Sequence, residues 1–369
     1  MAEHKIKNVT LRDVAQRVGV SAMTVSRALS RKAHLVNPET AKRCRRIAEE
    51  MGYVPNLMAR SLRGEQLNTI VMLAEYISSH HYLAELVDIV SRSIEQRKFG
   101  VISCQSIASF RQAMGNFKLA GAVVIAPPEN FFSDPFGDVS GGPRRFNPTV
   151  IIHSAFEQDH FNEVSPDIVG FNYHAAGHLI ELGHRHIAYL GGPRPEDERH
   201  WFDLRQKGIL QAFSEPNLPE INLRRQPCPD TDLAPAALQQ LLTRAPHTTA
   251  VMCINDEIAI AATVGARRMG LRVPQDLSIL GCNDIELARF FQPTLTTLAI
   301  DIRSMVETAL DLLFDQIHDQ MPPSGGKPVK IKLPVNLIVR ESTGSPKSPS
   351  PAPCTAAGEL PSGPRPAGY

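Results

Sequence analysis

The side chains Ala22, Met23, Thr24, Ser26 and Arg27 fall within six consecutive residues. They supply small contacts, two hydroxyls and one forked guanidinium. On one face of a helix, that set suits a DNA major groove, where base edges and phosphates are read together. Other groups that could carry chemistry lead nowhere comparable. Gly191-Gly192-Pro193 suggests a phosphate loop, but the chain has neither Gly-x-Gly-x-x-Gly nor Gly-Lys-Ser/Thr there. His184 and His186, with His178 nearby, do not meet metal-site spacing. Asn255-Asp256 and Asn283-Asp284 have no serine or histidine partner in a triad order, so the second residue of each pair reads as a helix or turn cap. No enzyme, metal or cofactor is expected.

The elements that must hold the first set can be read directly. Thr10 caps a helix, with Asp13 three residues on as its capping-box partner. Val14, Ala15 and Val18 form one apolar stripe, and Gly19 supplies a turn. Ser21 caps a second helix, which turns Val25, Ala28 and Leu29 inward and leaves Ala22, Met23, Thr24, Ser26 and Arg27 outward. The pattern is a helix-turn-helix, although an ordinary helical hairpin shares it. Asn37-Pro38 opens a third helix, with Ala41, Cys44, Ile47, Ala48 and Met51 at helical spacing and Gly52 as its stop. Lys42, Arg43, Arg45 and Arg46 project from it, as a solvated face or as phosphate contacts.

Charge is divided in the same way. Residues 1–66 hold 13 Lys/Arg against 6 Asp/Glu, whereas the remainder holds 26 against 32. A basic head on a mildly acidic body implies a polyanionic partner for the head alone. No apolar run follows Met1 and no stretch reaches the length of a membrane span, so a cytoplasmic protein is expected. The six scattered cysteines then read as free, packed thiols.

Past Tyr53, Pro55-Asn56 to Gly64 spells a helix of less than three turns, marginal in isolation and suited to a regulated linker, although a plain connector shares the pattern. Val9-Thr-Leu-Arg-Asp-Val-Ala-Gln-Arg-Val-Gly-Val-Ser-x-x-Thr-Val-Ser-Arg27, followed by Tyr53-x-Pro-Asn-x-x-Ala-Arg-Ser-Leu62, resembles the lactose-repressor/galactose-repressor (LacI/GalR) family of bacterial transcription factors. Arg340-Glu-Ser-Thr-Gly344 resembles the usual end of these proteins. Locally, Ala22-Met-Thr-Val-Ser-Arg27 and Gly183-His-Arg-His-Ile-Ala-Tyr-Leu-Gly191 are similar to gluconate-operon repressors. Gly270–Gly281 and Phe291–Thr297 are similar to the purine repressor. The resemblance implies base reading by Ala22, Met23 and Arg27, and a minor-groove wedge at Leu62 beside Arg63. Thr10, Ser21, Thr24, Ser26 and Asn56 complete the residues expected at DNA. It also implies a homodimer on a pseudo-palindromic operator, controlled by a small effector; a solute-binding protein without DNA function is the alternative.

From Leu67 to Gly344 apolar runs of strand length alternate with amphipathic stretches: Thr69–Leu73, Gly100–Ser103, Ala120–Ala126 and Thr149–His153, then Ile168–Phe171, Ile187–Gly191, Ile221–Gln226, Thr249–Ile254 and Leu277–Gly281. This spells two parallel-sheet, Rossmann-like α/β lobes with ligand at the strands' carboxyl ends, and the family resemblance implies the same architecture, that of periplasmic sugar-binding proteins. Four units follow: a helix-turn-helix head (1–52), a hinge helix (53–66), a two-lobed effector and dimerisation body (67–344), and a Pro-rich tail (345–369) too poor in apolar residues to fold. The N-terminal lobe reads as shortened, because Gly100–Gly121 is brief and Pro127–Pro148 lacks a helical pattern.

For the effector, Arg205 in Asp203-Leu-Arg205-Gln-Lys-Gly208 resembles the family's effector-holding arginine, able to fork to two hydroxyls or a carboxylate. The resemblance adds His81 or Tyr82, Asn255, Asn283 and His153. The last two stand where aspartate is common. Trp201 stacks on a ligand ring or serves the core. A sugar or sugar acid is the favoured effector class, with a purine-like ligand second.

Overall fold

The computed structural model describes residues 9–53, 67–75, 81–128, 130–133, 148–154, 156, 158–192, 200–214, 222–318 and 327–347. The head contains helices α1 (Leu11–Val18), α2 (Ala22–Ala28) and α3 (Pro38–Glu50). Thr10 Oγ1 accepts the Asp13 N–H at 3.3 Å and the Asp13 carboxylate accepts the Thr10 N–H at 2.8 Å. The box satisfies two donors that a helix start would otherwise leave unpaired. Gly19 then adopts φ +79°, the left-handed turn a glycine tolerates. Ser21 Oγ accepts the Thr24 N–H at 3.1 Å, and Asn37 caps α3 with Pro38 in its first turn. Val14, Val18, Val25, Ala28, Cys44 and Ile47 make one small core, with Leu29 packed at its edge. Burying each such valine or isoleucine contributes about 1.5–3 kcal/mol, so a one-residue register shift in α2 is strongly opposed.

The body is two α/β lobes. The N-lobe runs β1 (Thr69–Ala74), α4 (His81–Gln96), β2 (Gly100–Cys104), α5 (Ile107–Asn116), β3 (Gly121–Ile125), α6 (Asn130–Ser133), β4 (Thr149–Ile152) and β5 (Asn162–Pro166). The C-lobe runs α7 (Ile168–Glu181), β6 (His186–Leu190), α8 (His200–Phe213), β7 (Asn222–Gln226), α9 (Ala234–Arg244), β8 (Ala250–Cys253), α10 (Asp256–Arg268), β9 (Ser278–Cys282), α11 (Leu287–Phe290) and β10 (Thr296–Ala299). The chain then returns to the N-lobe with α12 (Ile302–Ile317) and β11 (Lys330–Leu333), and ends in the C-lobe with β12 (Asn336–Ile338). The sheet orders are β11-β5-β4-β3-β1-β2 and β12-β10-β9-β8-β6-β7; all pairings are parallel except β10 with β12. Both sheets therefore reverse direction of growth beside their first strand, at β1/β3 and β6/β8. Crevices for ligands form at the carboxyl ends of such strands. Each sheet is covered on both faces: α4 and α12 lie over one side of the N-lobe, α7 and α8 over one side of the C-lobe.

Several expectations need correcting. Ile168–Phe171 is not a strand but the first turn of α7, because Asp167 Oδ1 accepts the Gly170 N–H at 3.0 Å and starts a helix there. The strand is the more polar Asn162–Pro166, which lacks an apolar signature. It is buried between β4 and β11, where Glu163 is compensated by Lys330 and Lys332 of β11 at 3.4 and 2.9 Å. The N-lobe sheet is not shortened: it has six strands, as the C-lobe does, and α5 fits between β2 and β3. The tail begins later than residue 345, since Lys347 forms an ion pair with Asp276 and Gly344 is held by Ser278 and His184. His184 is thus a structural ring, buried and also bonded to Thr249. The hinge from residue 54 onward, with Asn56, Leu62 and Arg63, lies outside the described residues, as does the tail beyond Lys347. Five cysteines are buried free thiols. No described helix is long and apolar enough to cross a membrane.

Candidate nucleic-acid face and interlobe cleft

The outer face of α2 follows the sequence in part: Met23 and Arg27 point outward, whereas Ala22, expected outward, packs against the edge of the head core. Met23 is 62% exposed, an unusual position for a large apolar side chain in so small a unit, and Arg27 is exposed one turn on. Ala22, Thr24 and Ser26 are half-buried between them. The Thr24 and Ser21 hydroxyls lie 2.9 Å apart, so Ser21 and Thr10 serve first as caps that fix the helix ends. On α3 the basic residues divide. Arg45 Nε donates to the Ala28 carbonyl at 3.3 Å and ties α3 to the end of α2, and Arg46 faces Glu50 at 3.6 Å. Lys42 and Arg43 are exposed. Met23 and Arg27 are thus exposed on α2, and Lys42 and Arg43 on α3.

In the body, the candidate effector residues converge from both lobes. Tyr82, at the start of α4, places its hydroxyl 2.9 Å from His153 Nδ1, at the end of β4. From the C-lobe, Arg205 on α8 lies close enough to His153 to act on its charge, and its guanidinium also meets the Cys282 thiol and the Tyr189 hydroxyl. Glu257 in the first turn of α10 lies within electrostatic reach of Cys282. Its Oε1 closes the circuit by accepting the His81 N–H of the N-lobe at 3.2 Å. Tyr82, His153, Arg205, Cys282, Glu257 and His81 therefore run once across the cleft and back.

Burial sets the charge states of this group. Desolvation, with Arg205 nearby, pushes His153 down to about 3, so the ring is neutral. Burial pushes Tyr82 up, and Cys282 and Tyr189 each to about 12, so all three keep their protons. Burial works against the Arg205 charge, but Tyr189 and Cys282 hold its pKa above the ordinary value. The cleft thus combines one guanidinium and one carboxylate with neutral hydroxyl, thiol and imidazole groups. The backbone is also unusual here: Ala126, His153, Asn283 and Asp284, following β3, β4 and β9, all have φ between +44° and +107°. Such conformations are disfavoured for residues with a Cβ and collect at ligand sites.

Two candidates sit differently from their expected use. Asn255 is the N-cap of α10, its Oδ1 accepting the Ile258 N–H at 2.9 Å. The cap is therefore the first residue of the Asn-Asp pair, not the second. Asp256 is instead a buried tie, accepting from Thr297 Oγ1 at 2.6 Å and the Ile285 N–H at 2.9 Å. Asn283 Oδ1 accepts from the Cys282 thiol at 3.3 Å, at the cleft edge, and Asp284 carries Arg340 and Arg289 at 2.6 and 3.1 Å. Trp201 lies in the first turn of α8; its side chain is outside the described residues. Sequence reasoning missed Glu257, Cys282 and Tyr189. Their signal was positional, since all three lie at or just past carboxyl ends of C-lobe strands or within them.

A helix-turn-helix head followed by a two-lobed α/β body with a polar interlobe cleft defines a DNA-binding regulator with a ligand-binding domain. Residues 10–56 match the bacterial regulatory proteins of the lacI family, and residues 176–343 match the periplasmic binding protein-like domain. The HTH-type transcriptional repressor PurR of Salmonella newport is 30% identical over 341 residues, covering 90% of this chain and 96% of PurR. The chain belongs to the LacI family of bacterial transcriptional regulators. Its fold is shared with the Lac repressor dimer bound to operator and the anti-inducer ONPF (TM-score 0.74, 24% identity, covering 92% of this chain and 100% of that one). It is also shared with the transcriptional regulator CelR in complex with cellobiose (TM-score 0.63, 24% identity, 91% and 100%).

Proposed function

We propose that the protein is a repressor that binds a pseudo-palindromic operator as a homodimer in the cytoplasm, and that a small polar effector held between the lobes sets its affinity for DNA. The observation that carries this reading is the pairing, in one chain, of the exposed α2 face with a cleft whose polar groups come from both lobes. A ligand that touches Tyr82 and His153 on one side and Arg205 on the other has different contacts in open and closed bodies. That difference is what an effector needs to shift an equilibrium. Two exposed apolar residues on α11, Leu287 (52%) and Phe290 (71%), supply surface for a second copy.

A sugar or sugar acid is the favoured effector. The cleft groups are hydrogen-bonding and include the Arg205 fork, which suits hydroxyls and carboxylates, and the similar CelR holds cellobiose. The similarity to PurR favours a purine-like ligand as the second reading. The test is a gel shift on an operator selected from random duplexes, repeated across salt concentrations and with each effector class. Each phosphate neutralised should lower the log–log slope by about 0.9. Salt-insensitive binding, or no selectable operator, would defeat the reading.

A further inference from the structure

We propose that Glu257 is a further effector-binding residue: its Oε1 clasps the N-lobe while its Oε2 accepts a hydrogen bond from a hydroxyl or amine of the ligand. The inference rests on the effector reading above and sharpens it to a ligand with a donor facing α10. Three observations converge. Glu257 Oε1 accepts the His81 N–H at 3.2 Å, so the carboxylate bridges the two lobes. Its Oε2 is sealed from solvent and, among the described residues, has no hydrogen-bond partner. Its charge is felt by Cys282, whose thiol meets Arg205, which places the carboxylate with the cleft's polar group rather than on an outer surface.

The chemistry follows from these contacts. An ionised carboxylate only accepts, and its two oxygens offer about four lone-pair sites. One buried oxygen without a donor is a penalty that a ligand O–H or N–H removes. Arg205 is the reverse, since it only donates. A ligand matched to both presents an acceptor toward α8 and a donor toward α10, as a polyhydroxy acid or a sugar does. Because the same carboxylate holds the first turn of α4, a donor bound at Oε2 also fixes Glu257 in the position that joins the lobes.

The test uses full-length wild type, Glu257→Gln and Arg205→Ala, melted with D-gluconate, D-ribose, cellobiose or hypoxanthine, then titrated calorimetrically with whichever compound stabilises wild type. Glu257→Gln keeps one carbonyl oxygen for His81 but replaces the other acceptor with a donor. Without ligand, its melting temperature and the hydrogen exchange of the first turn of α4 should match wild type. Its Kd for the stabilising compound should rise roughly ten- to hundredfold, and Arg205→Ala should lose that compound as well. If Glu257→Gln does not fold, Glu257→Asp, which keeps the charge but withdraws it by one methylene, carries the same expectation. Unchanged affinity in the Glu257 variant, with affinity lost in Arg205→Ala, overturns the assignment of Glu257 and leaves the effector site standing. A wild type unmoved by all four compounds defeats the effector reading and this inference with it.

Discussion

The Tyr82 hydroxyl and His153 Nδ1 are 2.9 Å apart, joining the first turn of α4 to the residue that follows β4. The contact holds an imidazole that burial and Arg205 push from 6.5 down to about 3. The native protein therefore refuses a proton that the unfolded chain accepts below about pH 6.5. The stability from this site is complete above that pH and is lost as pH falls toward 3. Asp256 acts with the opposite sign. Burial raises it to about 6 from 3.8, so its favourable contribution is complete below 3.8 and shrinks as pH rises through 6. His153→Asn removes the first effect and leaves the second. Between pH 7 and 4.5 the melting temperature of wild type should fall more than that of His153→Asn. Parallel pH slopes in the two proteins would show that the ring is not held neutral.

On the DNA side, Arg27→Ala should weaken operator binding by about 1–3 kcal/mol and relax sequence preference at the base it reads, because a bidentate guanidinium contact is lost. Lys42→Ala should weaken operator and scrambled duplex alike and make the salt slope shallower by about 0.9, as expected for one phosphate contact. Gel-shift titrations of both duplexes at several salt concentrations separate the two patterns. If both variants lose operator and scrambled DNA equally, α2 is not the reading helix.

The head was legible almost to the residue because its signals are local: the Thr10–Asp13 box, Gly19, the Ser21 cap and the Asn37-Pro38 start each act within four residues. The lobes were legible as alternating strands and helices wherever strands are apolar. That reading failed at β5, whose Glu163 is compensated by lysines 167 and 169 residues away, a pairing no local pattern reveals. The cleft was partly legible. Strand ends together with the family resemblance pointed to His153, Asn255 and Asn283, and the resemblance alone to Arg205, which lies within α8. The side-chain roles depended on partners from the other lobe, so Glu257 was passed over and Asn255 turned out to cap its own helix. Glycine positions also carry long-range content: a Cβ on Gly208 would lie 2.1 Å from the Val169 carbonyl oxygen, so α8 and α7 pack at a distance only glycine permits.

Self-association should be sensitive to α11. Phe290 is the most exposed large apolar side chain among the described residues, with Leu287 three positions before it on the same short helix. Arg289 between them is tied to Asp284. If these residues form the centre of a dimer contact, Phe290→Asp would place an unpaired charge there, with an expected loss of about 2 kcal/mol or more, roughly thirtyfold in the dimer Kd. Sedimentation equilibrium measures it directly, and operator binding should weaken in step because the two heads lose their fixed spacing. A Phe290→Asp protein that remains as dimeric as wild type removes α11 from the interface.

Substitution of Arg205 tests whether the two halves of the molecule are coupled. The residue lies on α8 against Tyr189 and Cys282 and acts on the charge of His153 in the opposite lobe. A ligand acid or hydroxyl pair held there gains charge-assisted hydrogen bonds worth about 1.5–3 kcal/mol, so Arg205→Ala should weaken effector binding roughly ten- to over a hundredfold. Arg205→Lys should recover part of the loss for a carboxylate and less for a pair of hydroxyls, because lysine keeps the charge but not the fork. That difference reports the ligand's chemistry independently of its identity. The helix-turn-helix core is made only of head residues, so operator binding without effector should survive both substitutions. Linkage is reciprocal: if effector and operator influence each other by a given factor, removing tight effector binding removes the response of operator affinity at the same effector concentration. Calorimetry with the stabilising compound, paired with gel shifts at fixed compound concentration, measures both sides. An Arg205→Ala protein that binds the compound as tightly as wild type would show that the effector lies elsewhere. One that loses the compound yet still switches on DNA at that concentration would show that the switch does not run through this cleft.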